Sequence, residues 1–365
     1  MTDPIKLRAW LCLKTAPGLR GKDIFRLLEQ WPQPQEFIGN PEHPVYQSKD
    51  WDEQTLRHMA EGKLPPNYPQ VSKLVELYEI GLLCYSDPDY PLGLKEIYSP
   101  PVILYYRGDL IKALKQICLA VVGTRKPTAY GREMCAKTIA LACRNDVTII
   151  SGLAMGIDTV AHLTALEQHS GTIAVLAAGV DSIYPPQNRE LAKQIVAHGA
   201  LVSEYEPGSR LEKWNFPARN RIVSALAQAV YVVEGPLSSG ALLTAKFAIE
   251  QDRELMALPG EISHPNAQGP NYLIKSGARL VSCPEDVLEA LGIETQPDQQ
   301  LQIMPELSES EQGVWDIFQS EQRELSFDDL LLKTGLSFGK LSIILLNLEL
   351  KGCIGKASGN SFVTR

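Results

Sequence analysis

Apolar positions at the start of the chain recur at helical spacing. Leu7, Trp10, Leu11 and Leu13 form one such group, and Ile24, Phe25, Leu27 and Leu28 a second, with the turn Pro17-Gly18-Leu19-Arg20-Gly21 between them. Proline-rich stretches over 32–44 and 65–69 punctuate the region, so helices are predicted from about 5 to 80. From about 115 the pattern changes. Short apolar runs, Ile117–Val122, Val147–Ile150, Thr172–Leu176, Ala200–Ser203, Ala229–Val233, Glu254–Leu258 and Ala278–Val281, alternate with segments long enough for helices. Runs that are short, rich in β-branched residues and apolar on both faces fit strands covered on both sides. The expectation is an α/β fold with a doubly wound, Rossmann-like parallel sheet. Several of these strands end in Gly or Ser, where such folds place ligands.

Residues 291–306 are polar and read as a linker. Beyond them, helices are predicted over 308–319, 326–333 and 337–351, followed by a hairpin turning at Ser358-Gly359-Asn360, the pattern of a winged helix. Its third helix offers only Lys340 and Lys351 beside Glu349 among many Ile and Leu, which favours contact with protein over reading DNA. The domain boundaries are therefore a helical domain over 1–84, the α/β domain over 85–290, the linker, and the winged helix over 307–365.

Composition is that of a globular protein, with 44% hydrophobic and 21% charged residues. The formal net charge of −8 argues against coating of nucleic acid by bulk electrostatics, but its distribution is uneven. Residues 107–290 balance 18 basic against 18 acidic side chains, whereas 291–365 carry 6 against 11, so an anionic ligand is expected in the middle of the chain. No apolar run reaches the ~18 residues of a membrane span, and the opening residues lack a long apolar leader. A cytoplasmic protein without membrane association is expected. The seven cysteines show neither a C-x-x-C pair nor zinc spacing, so reduced thiols and no metal or other cofactor are expected.

Four segments could carry chemistry. Gly123-Thr124-Arg125-Lys126 lacks the G-x-G-x-x-G of a dinucleotide site but joins a strand-end glycine, two cations and a following helix N-terminus, a recipe for anion binding. Ser151-Gly152 opens the loop to Gly156, and Asp158 and His162 stand four apart on the next helix, where an internal hydrogen-bonded pair is expected rather than a metal site. Lys213, Arg219 and Arg221 are interleaved with Trp214, Phe216 and Asn220, which suits stacked bases with a cationic track for phosphates. The alternative packs both aromatics on the sheet and pairs the arginines with Glu204 or Glu206. Finally, Ser239 and Gly240 open a helix that carries Thr244 and Lys246, a further phosphate-type arrangement.

The order VVGTR…YG, IISGLAMGIDTVAH, TIAVLAAGVDSIYPPQN, SEYEPG, FPARNRIV, SSGALLTAKFAIEQDRELMALPG and GPNYLIKSGARLV resembles the DNA-processing protein A family, closely over about 115–285. The flanks resemble that family's helical SAM-like N-terminal domain and C-terminal winged helix. The resemblance implies a non-enzymatic, homodimeric single-stranded-DNA-binding protein that protects incoming DNA and loads RecA onto it during natural transformation. It implies a pocket of Arg125, Lys213, Phe216, Arg219, Asn220 and Arg221, closed by Ser239, Gly240 and Lys246, with bases on Phe216 and phosphates on Arg125, Arg219 and Lys246. Ala241 stands where the family usually has Ser, which removes one hydroxyl donor. The rival reading is a nucleotide-binding phosphoribohydrolase of the lysine-decarboxylase-like type. It is disfavoured because 235–242 lack that group's catalytic Glu.

Overall fold

The computed structural model describes residues 2–294, 307–321, 324–351, 353–356 and 361–364. The chain divides into two compact units, one ending at Glu294 and one after it.

The first unit is built on nine strands: β1 Gly81–Cys84, β2 Ile103–Gly108, β3 Cys118–Val122, β4 Thr148–Ser151, β5 Thr172–Val175, β6 Ala200–Ser203, β7 Ala229–Val232, β8 Glu254–Ala257 and β9 Arg279–Leu280. Their order is β1-β2-β6-β5-β4-β3-β7-β8-β9, and all pairs from β6 to β9 are parallel. The seven parallel strands are those the apolar runs predict. Alternate residues of β3 enter opposite cores: Cys118, Ala120 and Val122 on one face, Leu119 and Val121 on the other. Burial on both faces is the reason the runs do not alternate in polarity. Chain order reverses between β3 and β7, so the loops after these two strands diverge to opposite faces and leave a crevice between them.

The structure adds two antiparallel strands that periodicity does not disclose. β2 pairs with β6, and β1 pairs with β2. Gly81–Cys84 thus belongs to the sheet although it precedes the boundary drawn at 84. The N-terminal helices Pro4–Thr15, Lys22–Gln30 and Tyr68–Leu77 place Leu7, Trp10, Leu27 and Val71 in one apolar cluster with Tyr105 of β2 and Leu201 of β6. The turn between the first two helices, where Gly18 has φ +84°, faces the Asp52 carboxylate, already an anion.

In the second unit, helices Glu309–Glu321, Phe327–Thr334 and Phe338–Leu350 pack with strands β10 Leu325–Ser326, β11 Ile354–Lys356 and β12 Ser361–Thr364, ordered β10-β12-β11. Ser326 and Asp329 form a reciprocal capping box that starts the second helix, and Gly335 in the left-handed region ends it. This is the expected winged helix. The linker residues 295–306 and the hairpin turn at 358–360 lie outside the described residues.

Candidate functional site

The crevice at the strand-order reversal has a volume of about 490 Å³ and brings together four of the predicted segments' residues. Gly123, Arg125 and Lys126 come from the β3 loop, Phe216, Arg219 and Asn220 from helix Asn215–Ala225, and Ser239, Gly240 and Thr244 from the start of helix Gly240–Glu250. Gly152 lines a smaller adjoining pocket with Arg125, Phe216 and Arg219. Ser151, Lys213, Arg221 and Lys246 do not line either one. Ser151 is buried and donates to the Val121 carbonyl at 2.7 Å. Arg221 turns away to an ion pair with Glu204, and the exposed Lys246 lies 3.6 Å from Glu250 on its own helix. Lys213 and Trp214 are exposed beside the crevice rather than in it.

Arg125 and Lys126 are solvent-facing cations at its mouth. The Arg125 guanidinium lies 5.8 Å from the centre of the Phe216 ring, and Phe216 meets Tyr184 edge-on at 5.7 Å. Tyr184 and Met155 border the adjoining pocket; each lies in one of the quoted motifs, but neither was among the expected site residues. The loop that carries the cations is pinned from three sides. Thr124 N–H donates to the Glu234 carbonyl at 2.7 Å, Ile157 N–H to the Thr124 carbonyl at 3.2 Å, and Asn266 Nδ2 to the Lys126 carbonyl at 3.0 Å. Asn266 and Asp158 also line the crevice without having been predicted.

Arg219 has a different place from the one sequence suggests. It is only 6% exposed, and its Nη1 donates to the carbonyls of Val175 and of Gly152, the latter at 2.6 Å. Its Nε donates to Asn220 Oδ1 at 3.2 Å, and Asn220 Nδ2 in turn donates to the Gly240 carbonyl at 3.2 Å. Arg219 therefore ties β5 and the β4 loop to the start of helix Gly240–Glu250. Its charge is offset by Asp158, whose carboxylate accepts from the N–H groups of Gly152 at 3.1 Å and Ala154 at 3.2 Å. Burial pushes the Asp158 carboxyl up while Arg219 and these N–H groups pull it down. Burial likewise lowers the Arg219 pKa, and Asp158 opposes that shift.

A β-carbon on Gly152 would stand 2.4 Å from Arg219 Nη1 and 2.5 Å from Nη2. Gly152→Ala is therefore expected to displace the guanidinium from its carbonyls and cost about 2 kcal/mol, visible as a lowered urea midpoint.

The expected Asp158–His162 pair does not form. Asp158 faces the β4 loop, while His162 Nδ1 lies 2.8 Å from Thr172 Oγ1, which itself donates to the Ile149 carbonyl. Helical spacing brings two side chains to one face but does not decide whether they meet. Burial, and then the Arg219 charge, push the His162 pKa down to about 3, so the ring is neutral in the fold. The unfolded chain takes up this proton near its ordinary value of about 6.5. The contribution of the neutral ring is thus complete above pH ~6.5 and is lost as pH falls towards ~3. Urea titrations across that window should show an acid limb on the order of a few kcal/mol deep, shallower in His162→Gln.

The two helix N-termini near the crevice also differ. Thr128 caps helix Ala129–Arg144, and its N–H and hydroxyl donate to the buried Glu234 carboxylate at 2.9 and 2.5 Å. That end already holds an anion, so the expected combination of the Arg125–Lys126 loop with this N-terminus does not arise. Helix Gly240–Glu250 has no side-chain cap, and the buried Ser239 hydroxyl has no partner. Leu242 N–H donates to the Ser239 carbonyl at 3.1 Å, whereas the N–H groups of Gly240 and Ala241 have no intrahelical acceptors and give the crevice an anion-attracting wall. Ala241 lines that wall as well, where a hydroxyl would add a donor. Among the described residues no group of His, Cys, Asp or Glu could hold a metal ion, no helix is long and apolar enough to cross a membrane, and all seven cysteines are free.

The sequence profile of the DNA recombination-mediator protein A family matches residues 81–292. The chain belongs to that family. A second profile, for the winged-helix domain of DNA processing protein A, matches 297–360. Protein Smf of Escherichia coli is 34% identical over 96% of this chain and 94% of its own length. Among solved structures, DNA processing protein A of Streptococcus pneumoniae superposes with TM-score 0.67 at 33% identity, covering 81% of this chain and all of its own. DNA processing protein A of Helicobacter pylori, solved for its single-stranded DNA binding mode, superposes with TM-score 0.54 at 30% identity over 59% of this chain and 96% of its own. In this recombination-mediator chain the profile begins at the first residue of β1, in keeping with the pairing of β1 and β2 into the sheet.

Proposed function

We propose that the crevice binds single-stranded DNA and that the chain acts in DNA processing by binding rather than by catalysis. One observation carries this reading: exposed cations, an aromatic pair and an uncapped helix N-terminus converge on a single crevice at the strand-order reversal. Arg125 and Lys126 would meet phosphates, and the first turn of helix Gly240–Glu250 would hold another. Bases would stack against Phe216 and Tyr184, which every base can do through its π-face. Arg219 would act as a positioning residue, holding Phe216's helix against the sheet, rather than as a phosphate ligand. The binding mode named for the Helicobacter pylori relative supports the same reading.

The hydrolase alternative finds less support. Asp158, the carboxylate that lines the crevice, is held by two backbone N–H groups beside Arg219, so it is poorly placed to take a proton from water. Protection of incoming DNA, loading of RecA, a homodimer through the α/β unit and a cytoplasmic site of action complete the proposal, following the family. Loading is tested by RecA nucleation on single strands with and without the protein.

Fluorescence anisotropy at fixed salt, with single-stranded and duplex oligonucleotides of equal length, tests the crevice itself. Tight binding of single strands over duplex is expected, and Phe216→Ala should weaken it by roughly 10- to 100-fold, the loss of about one stacked base. Equal, weak binding of both forms, unchanged in Phe216→Ala, would overturn the reading.

A further inference from the structure

A second cavity, of about 410 Å³, lies at the carboxyl ends of β7 and β8, next to the crevice. Asn266, whose side chain donates to the Lys126 carbonyl, lines the crevice, while its neighbours His264 and Ala267 line this cavity, so the two share a wall. The volume is within the range of about 300–1,000 Å³ usual for ligand pockets. Val233 and Leu258 give it an apolar lining. Tyr130 stands at its edge, 46% exposed, with its ring anchored by a hydroxyl that donates to the Pro259 carbonyl at 3.0 Å. Glu234, Glu261 and His264 supply the polar groups. Thr128 gives the buried Glu234 carboxylate one donor to each oxygen, and each oxygen can accept a second. Glu261 is exposed and accepts from the Ser263 hydroxyl. His264 Nδ1 accepts from the Asn266 N–H at 3.2 Å, which leaves the proton of the neutral ring on Nε2 as a donor. Among the described residues neither carboxylate has a Lys or Arg ion-pair partner.

We propose that this cavity receives one base of the bound strand and selects bases that carry an exocyclic amine over thymine and uracil. The proposal rests on the single-strand reading of the crevice and adds a preference to it. Ionised carboxylates only accept hydrogen bonds, so a ligand must bring the donors. They also repel phosphate, which keeps the backbone on Arg125 and Lys126 and leaves a neutral base as the group that enters. In a single strand the pairing edge of each base is open to such contacts. Cytosine offers its N4 amine to a carboxylate and its N3 as an acceptor for His264 Nε2–H. Thymine and uracil instead turn O4, an acceptor, towards the carboxylate, so both lose the bond and meet repulsion. The Tyr130 ring gives the base a face to stack on. Stacking on Phe216 and Tyr184 suits every base, so selection arises in the neighbouring cavity, where edges rather than faces are met.

Fluorescence anisotropy of the full chain at neutral pH, with oligodeoxycytidine and oligodeoxyuridine of about 15 nucleotides, tests this. The two strands differ only at the base edge that the cavity reads. The cytidine strand should bind about tenfold more tightly than the uridine strand. Glu261→Gln, at an exposed position, should shrink that preference to about twofold without weakening the uridine strand, because an amide can donate to O4 as well as accept from an amine. Phe216→Ala should weaken both strands alike and keep their ratio. Equal affinity of the wild type for the two strands would overturn the proposal, and so would a preference left unchanged by Glu261→Gln. Tight, equal binding of both strands that is lost in Phe216→Ala would remove the base pocket and leave the crevice reading standing. Absence of binding by either strand would remove both.

Discussion

Arg219→Ala is expected to lower the stability of the α/β unit by about 3–5 kcal/mol, the cost of removing one member of a buried, mutually compensating set of charges. Three losses combine. The carbonyls of Gly152 and Val175 lose their donor, Asn220 loses the bond that orients it towards Gly240, and Asp158 keeps a buried charge without its counterion. In a unit of this size the melting temperature should fall by roughly 6–15 °C in scanning calorimetry. Arg219→Lys should recover only part of this, because one ammonium cannot serve two carbonyls and an amide in the guanidinium's fixed fork. Adding Asp158→Asn to Arg219→Ala should restore some stability by removing the orphaned charge. A melting temperature within a degree of wild type in Arg219→Ala would show that the guanidinium does not brace the fold. Binding of single strands should weaken along with stability, since Phe216 and Asn220 ride on the same helix.

Reversal of both cations at the crevice mouth, Arg125→Glu with Lys126→Glu, should act on binding alone. Both side chains are exposed, so folding should be preserved. Affinity for single strands should drop by roughly a hundredfold at moderate salt, and the slope of log affinity against log salt should become shallower by about 1.4, two phosphate contacts at ~0.7 each. Lys246→Ala serves as the control. Its ammonium lies beside Glu250, outside the crevice, so both affinity and slope should stay near wild type. A larger effect from Lys246 than from the Arg125–Lys126 pair would move the DNA path onto the outer face of helix Gly240–Glu250.

Local sequence was sufficient for the parts of this protein whose causes are local. Strands of four or five residues covered on both faces must be apolar almost throughout, so β3 to β7 stand out as runs. The Gly and Ser residues at their ends mark where ligands can approach, and the order of those loops led to the family. β1 and β2 escaped because short apolar runs become strands only when an edge, here β6, is available to pair with them.

What the sequence by itself determined is the set of chemical groups delivered to the crevice; tertiary packing decided which of them face it. Lys213, Arg219 and Arg221 lie close together in the chain, yet one is exposed beside the crevice, one is buried beneath it and one pairs with Glu204. Helix Asn215–Ala225 turns Asn215, Arg219, Ile222 and Val223 inward together, so the guanidinium is committed to backbone carbonyls by the face it occupies. The N-terminus of helix Ala129–Arg144 is likewise filled by Glu234, 106 residues away from Thr128 in sequence. Charge and hydrogen-bonding capacity belong to a residue, but their availability to a ligand depends on partners brought in by the fold. Those partners come from strands and loops distant in the chain, and no local spacing records them.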